Sequence, residues 1–289
     1  MNSENDLLPG LIVDKYGDYF SVQFHTRGIE KWKKEIVDSL VVIFEPKGIY
    51  ERSDISVRKI EELEEKSGLL HGDVPDKVKI LENGYKFYVD IKTGQKTGFF
   101  LDQRDKRAAI QKYCEGKKVL NCFSYSGGFS VYALSAGASK VVSVDTSQSA
   151  LDLADENIGL NKLDKKSCEF ICEDVKLYLQ NIKSGDFNLI ILDPPAFIKD
   201  RRKKEEGIVG YKKINEMALR ALGSGSILVT CSCSAHLSLS DFRYLLSESA
   251  GRAGKTVQIH ETHTHGIDHP ELVAYMEGGY LKCFIVRIV

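Results

Sequence analysis

Two short segments of this chain carry side chains that could do chemistry on a planar ring. Asp193 opens the segment Asp-Pro-Pro-Ala-Phe, directly after the apolar run 187–192, and Cys231 and Cys233 alternate with serines after a second apolar run. A carboxyl and a fixed carbonyl can form hydrogen bonds with the edge of a base, and a thiolate can add to an electron-poor ring carbon. Both segments follow predicted buried strands, so we expect them at the carboxyl edge of one sheet, where open α/β sheets bind ligands.

The chemistry that suits this pair is substitution at carbon 5 of cytosine. That carbon is a weak nucleophile until a thiolate adds at carbon 6, and the carboxyl of Asp193, in its protonated form, would stabilise the charge that develops at N3. A cysteine at the end of a strand is otherwise often just a small buried residue. Alternation places residues 231 and 233 on the same side of a strand, so spacing does not choose between the two cysteines.

A βαβ unit between Lys118 and Asp145 predicts a cofactor site. An apolar run leads into the loop Ser-Tyr-Ser-Gly-Gly at 124–128, then a helix-length apolar segment and a β-branched run that ends at Asp145. The helix N-terminus offers free N–H groups, and the acid is placed to bind a ribose. The loop lacks both the dinucleotide fingerprint and the P-loop ending, so we expect S-adenosylmethionine (SAM), which has no phosphate. An ordinary βα turn without a ligand is the alternative.

Other candidate positions have two interpretations each. Phe100 and Gln103 either face the cofactor from a lid or belong to a helix start that Asp102 or Asp105 caps. Asp174, after a short strand, either binds the exocyclic amine of the cofactor's adenine or caps the next helix.

Thr146 and Ser147 follow Asp145, and either of them is expected to cap the next helix. The basic run 199–204 is either a solvated loop or a flexible grip on phosphates. The four histidines between 260 and 269 match no zinc-ligand spacing, so we expect a loop there and no metal site.

Composition limits the class of protein. The 289 residues contain 40 Lys+Arg and 41 Asp+Glu, so any contact with nucleic acid must depend on local basic patches. The seven cysteines form no C-x-x-C pair, which argues against a disulfide scaffold and a zinc ribbon. The N-terminus lacks a signal pattern, and no segment approaches the ~18 apolar residues of a membrane span. We expect a cytoplasmic protein without a membrane segment.

The order of segments predicts an α/β fold in two domains. From residue 96 to residue 289 the pattern indicates a Rossmann-like sheet, mostly parallel, whose last strand is antiparallel. Residues 1–95 form a small α+β domain that either positions a substrate or is structural. The predicted elements of the chain include a hairpin around 16–18, a helix at 29–40, strands at 41–44 and 49–52, a helix at 53–67, a hairpin around 82–84, and helices at 107–113 and 211–222.

Most of the chain resembles the RlmI-like class I SAM-dependent RNA methyltransferases, which make 5-methylcytosine in large-subunit ribosomal RNA. The matching stretches are LPGLIVDKYGDYFSVQFHTRGIEKW, TGFFLDQRDKR, VLNCFSYSGGFSVYAL, VVSVDTSQSALDLADENIGLN, LDPPAF, TCSCS and DHPELVAYMEGGYLKCFIVRI. Full-length members carry an N-terminal PUA domain, a small RNA-binding module, which this chain is expected to lack. Ala196 stands where members often have a lysine.

The resemblance implies a role for each candidate. Cys233, within Ser-Cys-Ser, would be the nucleophile, with Cys231 as the second choice. Asp193 with Pro194 would hold and activate the base. The SAM-binding residues would be Phe100, Gln103, Asn121, Phe123, Ser124, Tyr125, Gly127, Gly128, Asp145, Thr146, Ser147, Asp174 and Asp193.

The expected function is therefore transfer of the SAM methyl group to carbon 5 of a cytosine in RNA, with ribosomal RNA as the partner. Two alternatives stay open. One is a methyltransferase that acts on an exocyclic amino group and needs neither cysteine. The other is a non-catalytic RNA-binding protein with the same fold. A homodimer is also left open.

Overall fold

A computed structural model of the chain describes residues 1–198 and 200–289. The chain divides into two units, one formed by Met1–Asp102 with Gly266–Gly278 and the other by Gln103–His265 with Gly279–Val289.

The first unit contains a mixed four-stranded sheet, two helices and a separate hairpin. The sheet has the order β1-β2-β3-β4, in which β2 and β3 are parallel. Leu11, Phe24 and Ile49 belong to the apolar core of the sheet. The elements are β1 (Leu11–Tyr16), β2 (Tyr19–Phe24), α1 (Arg27–Glu30), α2 (Lys33–Phe44), β3 (Gly48–Ser53), β4 (Lys66–Gly72), β5 (Val78–Glu82) and β6 (Tyr85–Val89).

Two elements predicted in this unit are wrong. Residues 41–44 continue α2 rather than form a strand, because Leu40 and Val41 extend the helix face that packs on the core. The predicted helix at 53–67 is a short 3-10 turn followed by β4. Arg58 explains this: its buried guanidinium donates a hydrogen bond to the carbonyl of Glu64 at 2.6 Å and pairs with Glu30 at 2.8 Å.

The second unit is built on a seven-stranded sheet, which confirms the predicted fold class. The strand order is β12-β13-β11-β10-β7-β8-β9; five neighbouring strands are parallel, and β13 is antiparallel to both its neighbours. The strands are β7 (Lys118–Cys122), β8 (Lys140–Asp145), β9 (Cys168–Cys172), β10 (Phe187–Leu192), β11 (Leu222–Ser232), β12 (Val257–His263) and β13 (Lys282–Ile288).

Six helices accompany the sheet within the described part of this unit. Leu179, Tyr211 and Phe242 belong to one core cluster beside it, and Phe129 belongs to a second. The helices are α3 (Arg104–Ala109), α4 (Gly128–Ser135), α5 (Gln148–Leu160), α6 (Val175–Asn181), α7 (Lys204–Ala221) and α8 (Leu239–Ala253). Within the described ranges, no helix has the length and apolarity needed to cross a membrane.

Several boundaries in this unit differ from those predicted. The helix expected at 107–113 is α3, which starts at Arg104 and continues into a 3-10 turn at Ile110–Tyr113. The helix expected at 211–222 begins at Lys204, and β11 follows it directly from Leu222, so Gly223 and Gly225 belong to this strand. The pairing of β11 with β10 is irregular between Leu222 and Ile227, and both glycines lie in this irregular stretch, where glycine commonly marks a bulge.

Candidate active site

The two predicted catalytic segments meet at one edge of the second unit's sheet. Strands β10 and β11 are parallel neighbours, with Leu192 opposite Thr230, so Asp193 and Cys233 follow strand ends that lie side by side. The Sγ atom of Cys233 lies 3.8 Å from the carbonyl oxygen of Pro194, a distance suited to a weak S–H hydrogen bond. The thiol and the Asp-Pro-Pro segment therefore share one corner of the molecule.

The two cysteines have different surroundings. Cys231 is the last but one residue of β11, is fully buried and lies opposite Cys283 of β13. A hydrogen bond to Cys283, together with burial and the charge of Asp193, raises the pKa of Cys231 well above that of a free thiol. Cys233 lies beyond the end of the strand and is partly exposed. This geometry makes Cys233 the accessible sulfur and keeps Cys231 a protonated core residue.

Gln103 contacts the predicted catalytic acid. Its Nε2 donates a hydrogen bond to Oδ1 of Asp193 at 2.7 Å, and the residue is only 3% exposed. Gln103 occupies the cap position of α3 without a side-chain cap hydrogen bond, and Asp105 pairs with Arg104 instead. Neither Asp102 nor Asp105 is the N-cap residue of α3, so the alternative in which one of them caps this helix is wrong.

The residue predicted to act with Gln103, Phe100, lies in the first unit. Its ring centroid is 5.8 Å from the ammonium group of Lys96, which in turn pairs with Asp102 at 3.0 Å. The contact of Lys96 with the Phe100 ring is a cation–π interaction.

The loop between β7 and α4 has an unusual backbone. Phe123, Tyr125 and Gly127 have φ values of 57°, 45° and 74°, and left-handed conformations at two aromatic residues are strained. Strain of about 1–3 kcal/mol per residue persists where the surroundings impose it, and it is concentrated at ligand sites. Alternating conformations of this kind also turn backbone N–H groups toward one side.

Asp145 is the centre on which this loop closes. Its Oδ2 accepts a hydrogen bond from the N–H of Tyr125 at 2.9 Å, and its Oδ1 accepts one from the N–H of Ser147 at 3.0 Å. A carboxylate has about four lone-pair sites, so each oxygen retains capacity for a ligand hydroxyl.

Buried polar atoms beside this loop fit the cofactor. Among the residues that the structure describes, Oδ1 of Asn121 and the hydroxyls of Ser124 and Ser126 are buried and make no hydrogen bond to the protein. Leaving such atoms unpaired costs about 1–3 kcal/mol each, which a polar ligand would recover. SAM offers an ammonium, a carboxylate, ribose hydroxyls and an adenine, so its groups match these atoms and Asp145.

The glycines of the loop have a packing role. A Cβ atom on Gly127 would lie 2.8 Å from Cβ of Ala154, and one on Gly128 would lie 3.0 Å from Cδ of Arg107. The two glycines therefore let α4 approach α5 and α3 closely. This packing role is independent of any ligand that binds the loop.

Ser147, which follows β8, and Asp174, which follows β9, are the N-cap residues of α5 and α6. Ser147 accepts a hydrogen bond from the N–H of Ala150, and Asp174 accepts two from the first turn of α6 through Oδ1. Thr146 is exposed, and its carbonyl accepts a hydrogen bond from the thiol of Cys172. A contact of Asp174 with adenine stays a prediction, and its other oxygen has the capacity for one.

Two of the four described basic residues in the run after the Asp-Pro-Pro segment form ion pairs with acids. Arg202 pairs with Asp200 at 2.5 Å, and Lys204 pairs with Asp241 at 3.0 Å. Lys199 lies outside the described residues. The charge left for phosphate groups is therefore smaller than the sequence suggests.

The histidine-rich segment was expected to be a loop, but its first part is strand β12. Glu261 of this strand bonds His263 at 3.0 Å and Lys112 at 2.9 Å, and Nε2 of His265 accepts the N–H of Leu281. Within residues 1–198 and 200–289, no cluster of three or more His, Cys, Asp or Glu side chains has the arrangement of a metal site.

Two residues that the sequence did not single out also contact this corner. Ser234 accepts a hydrogen bond from the N–H of Ile198 at 3.2 Å, and its hydroxyl lies 2.9 Å from Oη of Tyr211. Ser234 could have been suspected because it follows Cys233. No motif marks Tyr211, which reaches the corner from α7 only in the folded chain.

Comparison with known proteins shows the family of this chain. Residues 60–276 match the model of the S-adenosylmethionine-dependent methyltransferase family. The chain is 46% identical over 288 residues to ribosomal RNA large subunit methyltransferase I of Aeromonas salmonicida (strain A449), in an alignment that covers 99% of this chain and 73% of that protein.

Solved structures show the same similarity. A Streptococcus mutans protein assigned as a SAM-dependent methyltransferase is similar with a TM-score of 0.85 and 26% identity, over 99% of this chain and 73% of that one. The structure of SMU.776, assigned as a methyltransferase and complexed with SAH, gives the same TM-score of 0.85 at 26% identity, over 99% and 74%.

Proposed function

This chain belongs to the S-adenosylmethionine-dependent methyltransferase family, and from that premise we propose that it methylates carbon 5 of a cytosine in large-subunit ribosomal RNA. The relatives' name supports the RNA substrate. The observation that carries the chemistry is the partly exposed Cys233 thiol, 3.8 Å from the Pro194 carbonyl at the corner that Asp193 opens.

Cys233 would be the nucleophile that adds to carbon 6 of the cytosine ring. Its thiolate forms an Sγ–C6 bond, and the electron pair displaced from the C5–C6 double bond makes carbon 5 nucleophilic. After carbon 5 has gained the methyl group, loss of its proton returns the electron pair to the ring and breaks the Sγ–C6 bond, which restores the thiolate. A general base takes this proton.

Asp193 would hold the edge of the cytosine. Gln103 donates to its Oδ1 and thereby fixes the orientation of the carboxyl group. The other oxygen, which carries the proton of the protonated carboxyl, would then donate a hydrogen bond to N3, where negative charge develops once Cys233 has added. In structured RNA the cytosine has to leave its stack to reach this corner.

The residues around the strained loop would bind the methyl donor. SAM supplies a methyl group on a positively charged sulfur, which makes that carbon open to attack by a weak nucleophile. Asp145 would accept the ribose hydroxyls, and Asn121, Ser124 and Ser126 would pair the remaining polar groups through the buried atoms described above. Asp174 would take the adenine amine.

The test compares the two cysteines on one substrate. Cys233→Ala is expected to abolish methylation of large-subunit ribosomal RNA, whereas Cys231→Ala retains most activity because that sulfur only fills a buried site. RNA with 5-fluorocytosine should form a stable protein–RNA adduct with the wild type and with Cys231→Ala, since fluorine cannot leave as the C5 proton does.

Three outcomes would contradict the proposal. Full turnover by Cys233→Ala would favour methylation of an exocyclic amino group. Adduct formation by Cys233→Ala but not by Cys231→Ala would make Cys231 the nucleophile. Absence of any transfer to RNA by the wild type, despite SAM binding in calorimetry, would favour an RNA-binding role.

We propose that the protein acts in a reducing cytoplasm and that its partner is ribosomal RNA. All seven cysteines are free thiols, which fits that compartment. Whether the protein acts as a monomer or a homodimer is tested by light scattering on the purified chain.

A further inference from the structure

The corner that carries Cys233 is tied together by two buried hydroxyl groups. Tyr211 lies on α7 and Ser234 directly follows Cys233, and both side chains are fully buried. Their hydroxyl oxygens are 2.9 Å apart. The N–H of Phe197 donates to Oη of Tyr211 at 3.4 Å, and the N–H of Ile198 donates to Oγ of Ser234 at 3.2 Å. One hydroxyl pair therefore joins the segment after Pro194 to the segment after Cys233.

The backbone of Ser234 is fixed from another element as well. Lys282 of β13 is buried, and its ammonium donates to the carbonyl of Ser234 at 2.8 Å and to that of Leu237 at 2.5 Å. Hydrogen bonds from a charged donor are stronger than those between neutral groups. Both the side chain and the carbonyl of Ser234 are thus held, which restricts the residue before it.

We propose that Tyr211 is a positioning residue that, through Ser234, holds Cys233 against the Asp-Pro-Pro segment. The inference deepens the proposed function and rests on Cys233 as its nucleophile. The S–H contact of Cys233 with the Pro194 carbonyl, at 3.8 Å, joins the same two segments but is long and weak. Burial and the nearby Cys233 raise the pKa of Tyr211, so its hydroxyl keeps its proton at neutral pH.

Tyr211→Phe removes this hydroxyl and keeps the ring, whose centroid is 4.7 Å from that of Phe197. The expected effect is a fall in kcat of about 10- to 100-fold, because a displacement of about 1 Å in a reacting group can cost 10²-fold. The Kd for SAM, measured by calorimetry, should stay close to the wild-type value, since the proposed SAM-binding residues other than Asp193 lie outside the two segments that the hydroxyl pair joins. Ser234→Ala should reproduce the effect.

The rate at which the Cys233 thiol is alkylated can be measured without any turnover of substrate. Alkylation of Cys233 by iodoacetamide, located by peptide mass spectrometry, should be faster in Tyr211→Phe, because the sulfur is no longer held against the Pro194 carbonyl. The double variant Tyr211→Phe/Ser234→Ala should show no more than the larger single effect, since both changes break one linkage. Tyr178→Phe, a partly buried tyrosine of α6 packed on the same core, is the matched control with wild-type values.

Two results would overturn the inference. One is a Tyr211→Phe variant with wild-type kcat and wild-type alkylation of Cys233. The other is a parallel loss of melting temperature, SAM affinity and kcat without faster alkylation, which would make the hydroxyl merely structural. Full turnover by Cys233→Ala would instead remove the proposed nucleophile, while faster alkylation in Tyr211→Phe would still establish the linkage. Should Tyr211→Phe not fold, Ser234→Ala decides.

Discussion

Replacing Gly207 by alanine should disturb the Asp-Pro-Pro corner through packing alone. Gly207 lies in the first turns of α7, where the segment after Pro194 rests on the helix. A Cβ atom there would lie 2.3 Å from Cγ1 of Ile198 and 2.8 Å from the carbonyl oxygen of Phe197. The backbone would have to retreat by roughly 0.5 Å, given a usual C···O contact of about 3.3 Å.

The size of the effect follows from two opposing contributions. Alanine in place of a helical glycine stabilises by up to about 1 kcal/mol, and overpacking of a filled site costs about 1–3 kcal/mol. Gly251→Ala in α8 carries only the first contribution, because a Cβ atom there meets nothing within 4 Å, so the difference between the two variants isolates the second. Gly207→Ala should therefore have a free energy of unfolding about 1–3 kcal/mol lower than Gly251→Ala.

Urea denaturation of the two variants measures this difference, and methylation assays measure its consequence. Gly251→Ala should keep wild-type activity, whereas Gly207→Ala should lose activity because Phe197 and the residues before it move. Equal stability of the two variants, with wild-type activity in both, would refute the packing of the Asp-Pro-Pro segment on α7.

Two further predictions concern charged groups. Asp145→Ala removes the acceptor of the Tyr125 and Ser147 N–H groups. The Kd for SAM should therefore rise at least about tenfold, which is a loss of about 1.4 kcal/mol in binding free energy. An unchanged Kd in calorimetry would show that Asp145 does not belong to the cofactor site. At Glu261, burial opposes ionisation, but hydrogen bonds from Tyr113, Lys112 and His263 outweigh it and lower the pKa. A depressed carboxyl pKa adds stability above the unfolded value of about 4.3, which is lost as the pH falls through the folded pKa. Glu261→Gln should melt below the wild type near neutral pH and approach it in acid; a pH-independent gap would contradict this.

Local features of the fold were open to sequence reasoning because their causes lie within a few residues. The run 187–192 is apolar because its strand is buried, and the caps Ser147 and Asp174 bond N–H groups two or three residues further on. The predictions that failed had distant causes. Arg58 holds residues 56–64 in a turn through a partner on α1, and no window of sequence around 53–67 contains that partner.

At the corner that carries Asp193 and Cys233, some features are determined by the sequence and others only by the tertiary structure. The sequence by itself determined the class of sheet, the strand ends that carry Asp193 and Cys233, and the loop that closes on Asp145, because apolar runs and turn residues are local signals. Only the tertiary structure distinguished Cys231 from Cys233, since the difference arises where β11 ends and where Cys283 lies across from it. The contact of Tyr211 with Ser234 is also visible only in the tertiary structure, because it joins α7 to the segment after β11, and these two meet only when the chain is packed.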